Sequence, residues 1–479
     1  MKGDYTRDSF DATKHFSRVL LQQGRVQLDA DWNEQTSIVL HYLRTLATDL
    51  LGPHAGPADK LGFEIITQAS FPPAPAGDKD MSKKLAEIEL DETRREELKK
   101  ALKEGDMIIG PGRYYVAGIL VENDAAILYS EQLGYPFSDE TKIDKIKTRS
   151  SALLMYLDVW EREVSHIEDD QIRELALGGP DTCMRAKVMW QIKVLIQDKT
   201  TINCQSVDNL PALGTGKLRA RARMDKLPLD PCVTAPESRY RGAENQLYRV
   251  EIHSDETATV GATFKWSREN GSVVFPIHTL EGTTATLETF GRDMRLGLTE
   301  GDWVEILDDV LAAKGSAGQL AQVGRLNGDD FSISLSVPAG ITLPTYPAQG
   351  AHQHPYLRRW DHSGDPKFGG ALPLTEADDV KVKEGWLTLE DGVQIRFSKG
   401  GQYRVGDYWL IPTRTATGDV VWPHEKEKDA DGNPFAIPLS AHGPKHVYAP
   451  LLHALPDSAM DKKKEKDCRC IVEPLKCVT

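Results

Sequence analysis

Apolar and polar positions alternate with a period of two across Ala243–Ile277, near the middle of the chain. Leu247, Arg249, Glu251 and His253 share one parity, and Tyr248, Val250 and Ile252 share the other. That is the pattern of a half-buried strand. Thr263, Lys265 and Ser267 then alternate with Ala262, Phe264 and Trp266. Glu269-Asn270-Gly271 supplies the positive-φ residues that a hairpin turn needs. Ser272–Ile277 returns through Val273, Val274 and Phe275. The expectation is strand, turn, strand, turn, strand at the centre of one β domain.

A helical period appears at Asp29–Leu51, where Trp32, Thr36, Val39, Leu43, Leu46 and Leu50 recur at spacings of three and four and make one mostly apolar stripe. Asp29 or Asp31 can cap its start, and Gly52-Pro53 ends it. Beside an arm with few apolar residues, this helix is expected to pack on a partner or on the next domain, with burial against its own domain the ordinary alternative. Asp80–Glu104 is charged and helical with a thin apolar edge of Leu85, Ile88, Leu90, Leu98 and Leu102, which reads as a solvated insertion.

Elsewhere strands dominate. Gly62–Thr67, Asp106–Ile109 and Arg113–Glu122 are short, whereas Ala152–Ile167 is long, with Ala186–Gln197 as its expected sheet neighbour. Thr200–Arg241 carries Pro211, Pro228, Pro231 and Pro236 and the basic run Lys217–Arg223, and reads as a linker. Thr284–Thr289, Asp302–Asp308 and Gly318–Ser336 suggest a compact barrel or sandwich. Gly385–Phe397 and Gln402–Pro412 flank a Lys399-Gly400-Gly401 turn. A Gly-Asp step precedes an apolar strand at Gly105-Asp106, Gly301-Asp302 and Gly406-Asp407, which supports three separate β units. The predicted fold class is mainly β with some α, multidomain, with short-stranded β sandwiches or barrels and an N-terminal helix. The expected division is an arm and helix as an assembly element (1–60), a β domain (61–200) with its helical insertion (80–104), a Pro-rich linker (201–242), a central barrel or sandwich (243–345), a C-terminal β domain (346–460) and a cysteine-bearing tail (461–479).

Composition narrows the function classes. With 479 residues the chain is long enough for about three domains. Its formal net charge of −14, from 58 Lys and Arg against 72 Asp and Glu, argues against nucleic acid or an anionic membrane as partner. The N-terminus lacks the apolar run of about seven residues that a secretory signal needs, and no window is apolar enough to span a membrane. Synthesis and assembly in the cytoplasm are expected, with any extracellular role reached after release.

Candidate chemistry is sparse, and no cofactor is expected. Phosphate-binding glycine loops, the nucleophile elbow and His-Glu-x-x-His are absent from the sequence. Cys468, Cys470 and Cys477 crowd the tail. They could bind zinc with a borrowed fourth ligand, form one disulfide after release from the cell, or remain unlinked thiols. Cys183, Cys204 and Cys232 look isolated. His352, His354 and His362 with Asp361 and Asp365 make a weak metal cluster. Glu161 or Glu163 with Glu168, Asp169 or Asp170 could act as acid and base on a sugar, although solvent-facing carboxylates explain them more simply.

Five blocks resemble one family: QQGRVQLDADWNEQ (Gln22–Gln35), GRYYVAGILVEN (Gly112–Asn123), LDVWEREVSHIEDDQIRELALGGPDT (Leu157–Thr182), ENQLYRVEIH with ATFKWSRENGSVV, and QYRVGDYWLIPTRTATGDVVWP (Gln402–Pro423). That family is an uncharacterised bacterial one associated with phage-tail-like particles and contractile injection systems. The resemblance implies a structural component, such as a baseplate, fibre or cage-like accessory, working with other particle subunits as a homo-oligomer (trimer or ring). It implies no catalytic residue and no enzyme activity. A carbohydrate- or receptor-binding fibre module, meeting a cell-surface glycan, and a glycan hydrolase of bacterial envelopes are the alternatives. Deleting residues 1–30 is expected to leave a folded protein with a changed oligomeric state.

Overall fold

In the computed structural model, three β units are nested, each inserted into the one before it. The structure describes residues 1–71, 76–134, 151–197, 202–223, 239–255, 261–291, 293, 295–338, 340–347, 353–377, 385–428, 434–455 and 465–473. The first unit is organised on the long strand Ala152–Val164. Its aromatic and β-branched run pairs antiparallel with Arg185–Gln197 from Ala152↔Gln197 to Val164↔Arg185, as the sequence predicts. The chain departs after Asn209 and returns much later with Val447–Ala454, which takes the other edge of Ala152–Val164. Glu465–Asp467 then adds to that strand, and Ile471–Val472 lies parallel to His54–Pro57. Phe63, Tyr114, Leu157, Ile192 and Leu451 share the core.

The second unit holds two sheets over one core that includes Tyr248, Phe264, Phe397 and Trp409. In one sheet, Leu247–Ser254 lies between Thr263–Ser267 and Tyr408–Arg414. In the other, Lys217–Ala222 lies between Val393–Ser398 and Leu439–Ser440. The third unit is a closed barrel of six strands, from Val274–Glu281 to Tyr356–Trp360. It is inserted between Thr263–Ser267 and Leu372–Pro373 of the second unit, which pair with each other.

The fold is mainly β and multidomain, but the sequence-based boundaries shift. The central stretch is split: its first two strands belong to the second unit and its third opens the barrel. Asn270 (φ 49°) and Gly271 (φ 64°) do take the left-handed turn, yet the turn joins two units and closes no hairpin. The expected linker contains a core strand, because Leu218, Ala220 and Ala222 are buried while Lys217, Arg219 and Arg221 alternate with them. Arg221 stacks on Trp386 at 3.9 Å and donates to Gln394. The tail is no loose appendage, since residues 465–472 complete two sheets of the first unit.

Helices α1 (Asp29–Leu51), α2 (Ala76–Ile88) and α3 (Glu92–Lys103) match the helical readings. The charged pair α2 and α3 buries Met81, Leu85, Leu98 and Leu102 against Ile66 and Ile108, so its thin apolar edge is its docking side. Helix α1 behaves otherwise.

Candidate functional site

Helix α1 begins where the Asp31 carboxylate accepts from Leu28 N (3.1 Å) and ends at Gly52 (φ 81°), ahead of Pro53. Its interior contains neither Gly nor Pro, so nothing interrupts the turn-to-turn hydrogen bonds. Only Ala30 and Ile38 are fully buried. The apolar stripe points the other way: Trp32 is 67 % exposed, Val39 45 %, Leu43 57 %, Leu46 56 % and Leu50 74 %. Leu20, Leu21 and Val26 of the preceding arm are exposed as well. A contiguous apolar surface of this kind marks an interaction site.

The helix is held by its polar side and by backbone. Arg44 donates to Glu161 on the strand Ala152–Val164 (2.7 Å). The turn between Gly112–Val116 and Ile119–Asn123 meets the helix backbone at Gly118 (φ 75°), where a Cβ would lie 2.2 Å from the Arg44 carbonyl oxygen. The arm folds back along α1: Thr6 donates to Asp29 (2.9 and 2.6 Å), Ser9 to Glu34 (2.6 Å), and Val19 N to Gln35 (2.7 Å).

Residues 1–3 anchor the arm where the three units meet. Lys2 lies 3.1 Å from Glu251 and 3.8 Å from Glu163, and Asn270 donates to the carbonyls of Met1 and Gly3 (3.2 and 2.9 Å). Behind them Arg249 contacts Glu251 at 2.6 Å, Lys265 contacts Glu305 at 2.6 Å and Glu251 at 3.4 Å, and Glu305 also accepts from Trp360 Nε1 (2.9 Å) and Gly318 N (2.7 Å). Burial would raise these carboxyls. The surrounding cations overcome it: Lys2 leads in bringing Glu163 down to about 2 and in holding Glu251 well below its ordinary range. Two histidines border the cluster. Burial, then His253 and Lys265, lower His362 to about 3, and burial and Lys265 lower His253 to about 4. Deleting residues 1–30 therefore removes Lys2 from a buried charge cluster and costs stability, besides any change in assembly.

A family of unknown function, DUF6519, matches residues 1–217 and 212–478, so the matches run through the arm, all three units and the tail. The chain belongs to that family. No curated protein and no solved structure matches it significantly.

In this DUF6519 member the sequence-predicted chemical residues are mostly engaged in structure. Cys468 is bonded to Cys204, 264 residues away, so it is no free thiolate for a zinc site, and Cys204 is not isolated. Of the three readings left open for the tail, Cys468 forms a disulfide, with Cys204 as its partner, because strand pairing on Val447–Ala454 carries it to Cys204 in the shared cluster. Cys470 is free and exposed; Cys477 and Cys232 lie outside the described residues. Among the described residues no group of three or more His, Cys, Asp or Glu is placed to hold a metal. His352 also lies outside them. His354 meets Asp309 (2.7 Å), whereas His362 is buried beside Trp303, and Asp361 and Asp365 accept backbone N–H groups.

Of the carboxylates proposed for sugar chemistry, Asp169 accepts from Gln171 N (3.1 Å), Asp170 meets Arg173 (2.9 Å), and the three glutamates are each met by a cation. Glu161 holds Arg44, Glu163 faces Lys2, and Glu168 takes a two-bond grip from Arg162 (2.7 and 2.6 Å). Two of the three thus fasten the N-terminal segment. Sequence reasoning missed the buried charge cluster. Its signal was present: Lys265 sits between Phe264 and Trp266, and Glu305 between Val304 and Ile306, lone charges inside strands that are apolar on both sides.

Proposed function

We propose that this protein is a structural subunit of a phage-tail-like contractile particle, a baseplate, fibre or cage-like accessory, and that α1 with its arm is the element it presents to other subunits. The observation that carries the reading is the outward apolar face of α1, held to the body by Arg44–Glu161 and the Gly118 turn. A helix whose polar side faces its own domain leaves burial of its apolar side to another chain. The sequence resemblance supplies the kind of particle. Engagement of Glu161, Glu163 and Glu168 by Arg44, Lys2 and Arg162 supports a structural part for these carboxylates over a glycan-hydrolase one.

The test is incorporation. Sheath-and-tube particles purified from a producing bacterium should contain the intact chain and lack the Leu43→Asp/Leu46→Asp variant, with that variant folded in the soluble fraction. Particles that take up the variant as well as the parent would overturn the role given to α1. Absence of the parent from such particles would overturn the particle itself as its setting.

A further inference from the structure

Building on that assembly reading, we infer that the partner of α1 is α1 of a second copy of this chain, joined as a left-handed coiled coil. The exposed positions Trp32, Thr36, Val39, Leu43, Leu46 and Leu50 are spaced 4, 3, 4, 3 and 4. That spacing averages 3.5 residues, the repeat that keeps one seam facing another helix through supercoiling; a straight helix lying on a globular surface follows 3.6. Ile38, buried against the chain's own body, lies outside this repeat. The repeat is therefore confined to the side that the body leaves open.

The charges say which helix fits. Coiled coils choose foreign partners through complementary charges at the positions flanking the seam. Here the flanking residues Asn33, Gln35, Leu40, Tyr42 and Ala47 are uncharged, and the sixth, Asp49, lies in the last turn of the helix. From Asp29 to Arg44 the helix's acidic and basic residues sit off the seam on intramolecular duties: Asp29 with Thr6, Asp31 at the Leu28 cap, Glu34 with Ser9, Arg44 with Glu161. A second identical helix thus meets no like charge between Trp32 and Ala47. The one polar seam residue is already satisfied, since the Thr36 hydroxyl donates to the Trp32 carbonyl (3.1 Å), and its burial leaves no orphaned group. Apolar flanks at Leu40, Tyr42 and Ala47 widen the surface that such pairing removes from water.

Salt sharpens the choice. Each copy carries a formal net charge of −14, so copies repel at long range and screening lifts that repulsion. Self-association through an uncharged seam should strengthen as salt rises, opposite to pairing with a positively charged foreign helix.

The experiment uses the full-length chain with Cys183, Cys232, Cys470 and Cys477 replaced by Ser. Sedimentation at tens of micromolar should give at least twice the single-chain mass, rising with salt. Leu43→Asp/Leu46→Asp should return it to the single-chain mass with the melting temperature of the dilute, dissociated parent. Oxidation should cross-link Leu46→Cys, on the seam, and spare Thr45→Cys one position off it. A parent of single-chain mass, a seam variant that stays multimeric, or equal cross-linking at 45 and 46 would each overturn self-pairing. If the parent is single while the seam variant is also excluded from particles, α1 remains an assembly element with a foreign partner. The two readings therefore fail separately.

Discussion

Helix α1 and the strand Leu247–Ser254 invert the ordinary distribution of residues in opposite directions. The helix exposes Trp32, Leu43, Leu46 and Leu50, while the strand buries Arg249 and Glu251. In both, the sequence period is regular; what differs is the medium on each side. The strand is covered on one face by the core of its own unit and on the other by the barrel and residues 1–3, so its charged parity has no solvent to face. It is stable because each charge has a partner within a few ångströms. The helix is covered on one side only, so its apolar stripe remains available. Periodicity identifies the faces of an element, and tertiary packing decides which faces are wet.

The strongest way to break the buried half of this comparison is Glu305→Ala. It strips Lys265 of its nearer partner and orphans Trp360 Nε1 and Gly318 N. The expected loss is about 3–5 kcal/mol, read by thermal or denaturant unfolding. A melting temperature within about a degree of the parent would contradict the cluster's role in joining the units.

Gly118→Val attacks the joint between the two regions. The left-handed backbone alone costs about 1–3 kcal/mol for a β-branched residue, and the new Cβ collides with the Arg44 backbone. The helix should lift from the body, so proteolysis within residues 29–51 should quicken more than the global melting temperature falls. Unchanged cleavage there would show that the turn does not seat the helix.

Acid sharpens the comparison further, because His253 and His362 line the buried cluster. Their folded values of about 4 and about 3 lie below the ordinary 6.5. Between those values the unfolded chain binds the extra protons, so their share of stability is complete above 6.5 and is lost as pH falls toward 4 and then 3. Glu163, held at about 2, adds its own loss only below its ordinary 4.5. His362→Phe keeps a flat ring beside Trp303 and removes one of the two protonation sites. Its melting temperature should fall less steeply than the parent's between pH 6.5 and 4.5. Parallel pH profiles would contradict the burial of a neutral His362.

The smallest effect on stability should come from the exposed half. Leu43→Asp with Leu46→Asp should shift unfolding by no more than about 0.5 kcal/mol, as surface substitutions do. A loss of several kcal/mol would mean that the helix is packed within its own chain.

Much of this architecture was legible in the residues. The pairing of Ala152–Val164 with Arg185–Gln197 followed from two long β-branched runs, and α1 from its spacing and its Gly52-Pro53 stop. The nesting was not legible, because it rests on pairings such as Leu153↔Ala454 and Arg249↔Leu410 between strands far apart in the chain. The strand Lys217–Ala222 was hidden by prolines around it, although the alternation of Lys217, Arg219 and Arg221 with Leu218, Ala220 and Ala222 is a plain period of two. For the candidate site, the apolar stripe could be read. Whether it faces a partner or its own domain stayed open in the residues, since this depends on Glu161 and Gly118 gripping the opposite side. Cys204 and Cys468 looked unrelated because only the folded sheets bring them together.

Hydrogen exchange of α1 tests the central claim most directly. Amides within residues 32–50 should exchange readily in dilute, dissociated protein and become markedly protected in the assembled form, while those of Ala152–Val164 stay equally protected in both. Identical exchange of α1 in the dilute and assembled forms would contradict its role as the assembly element.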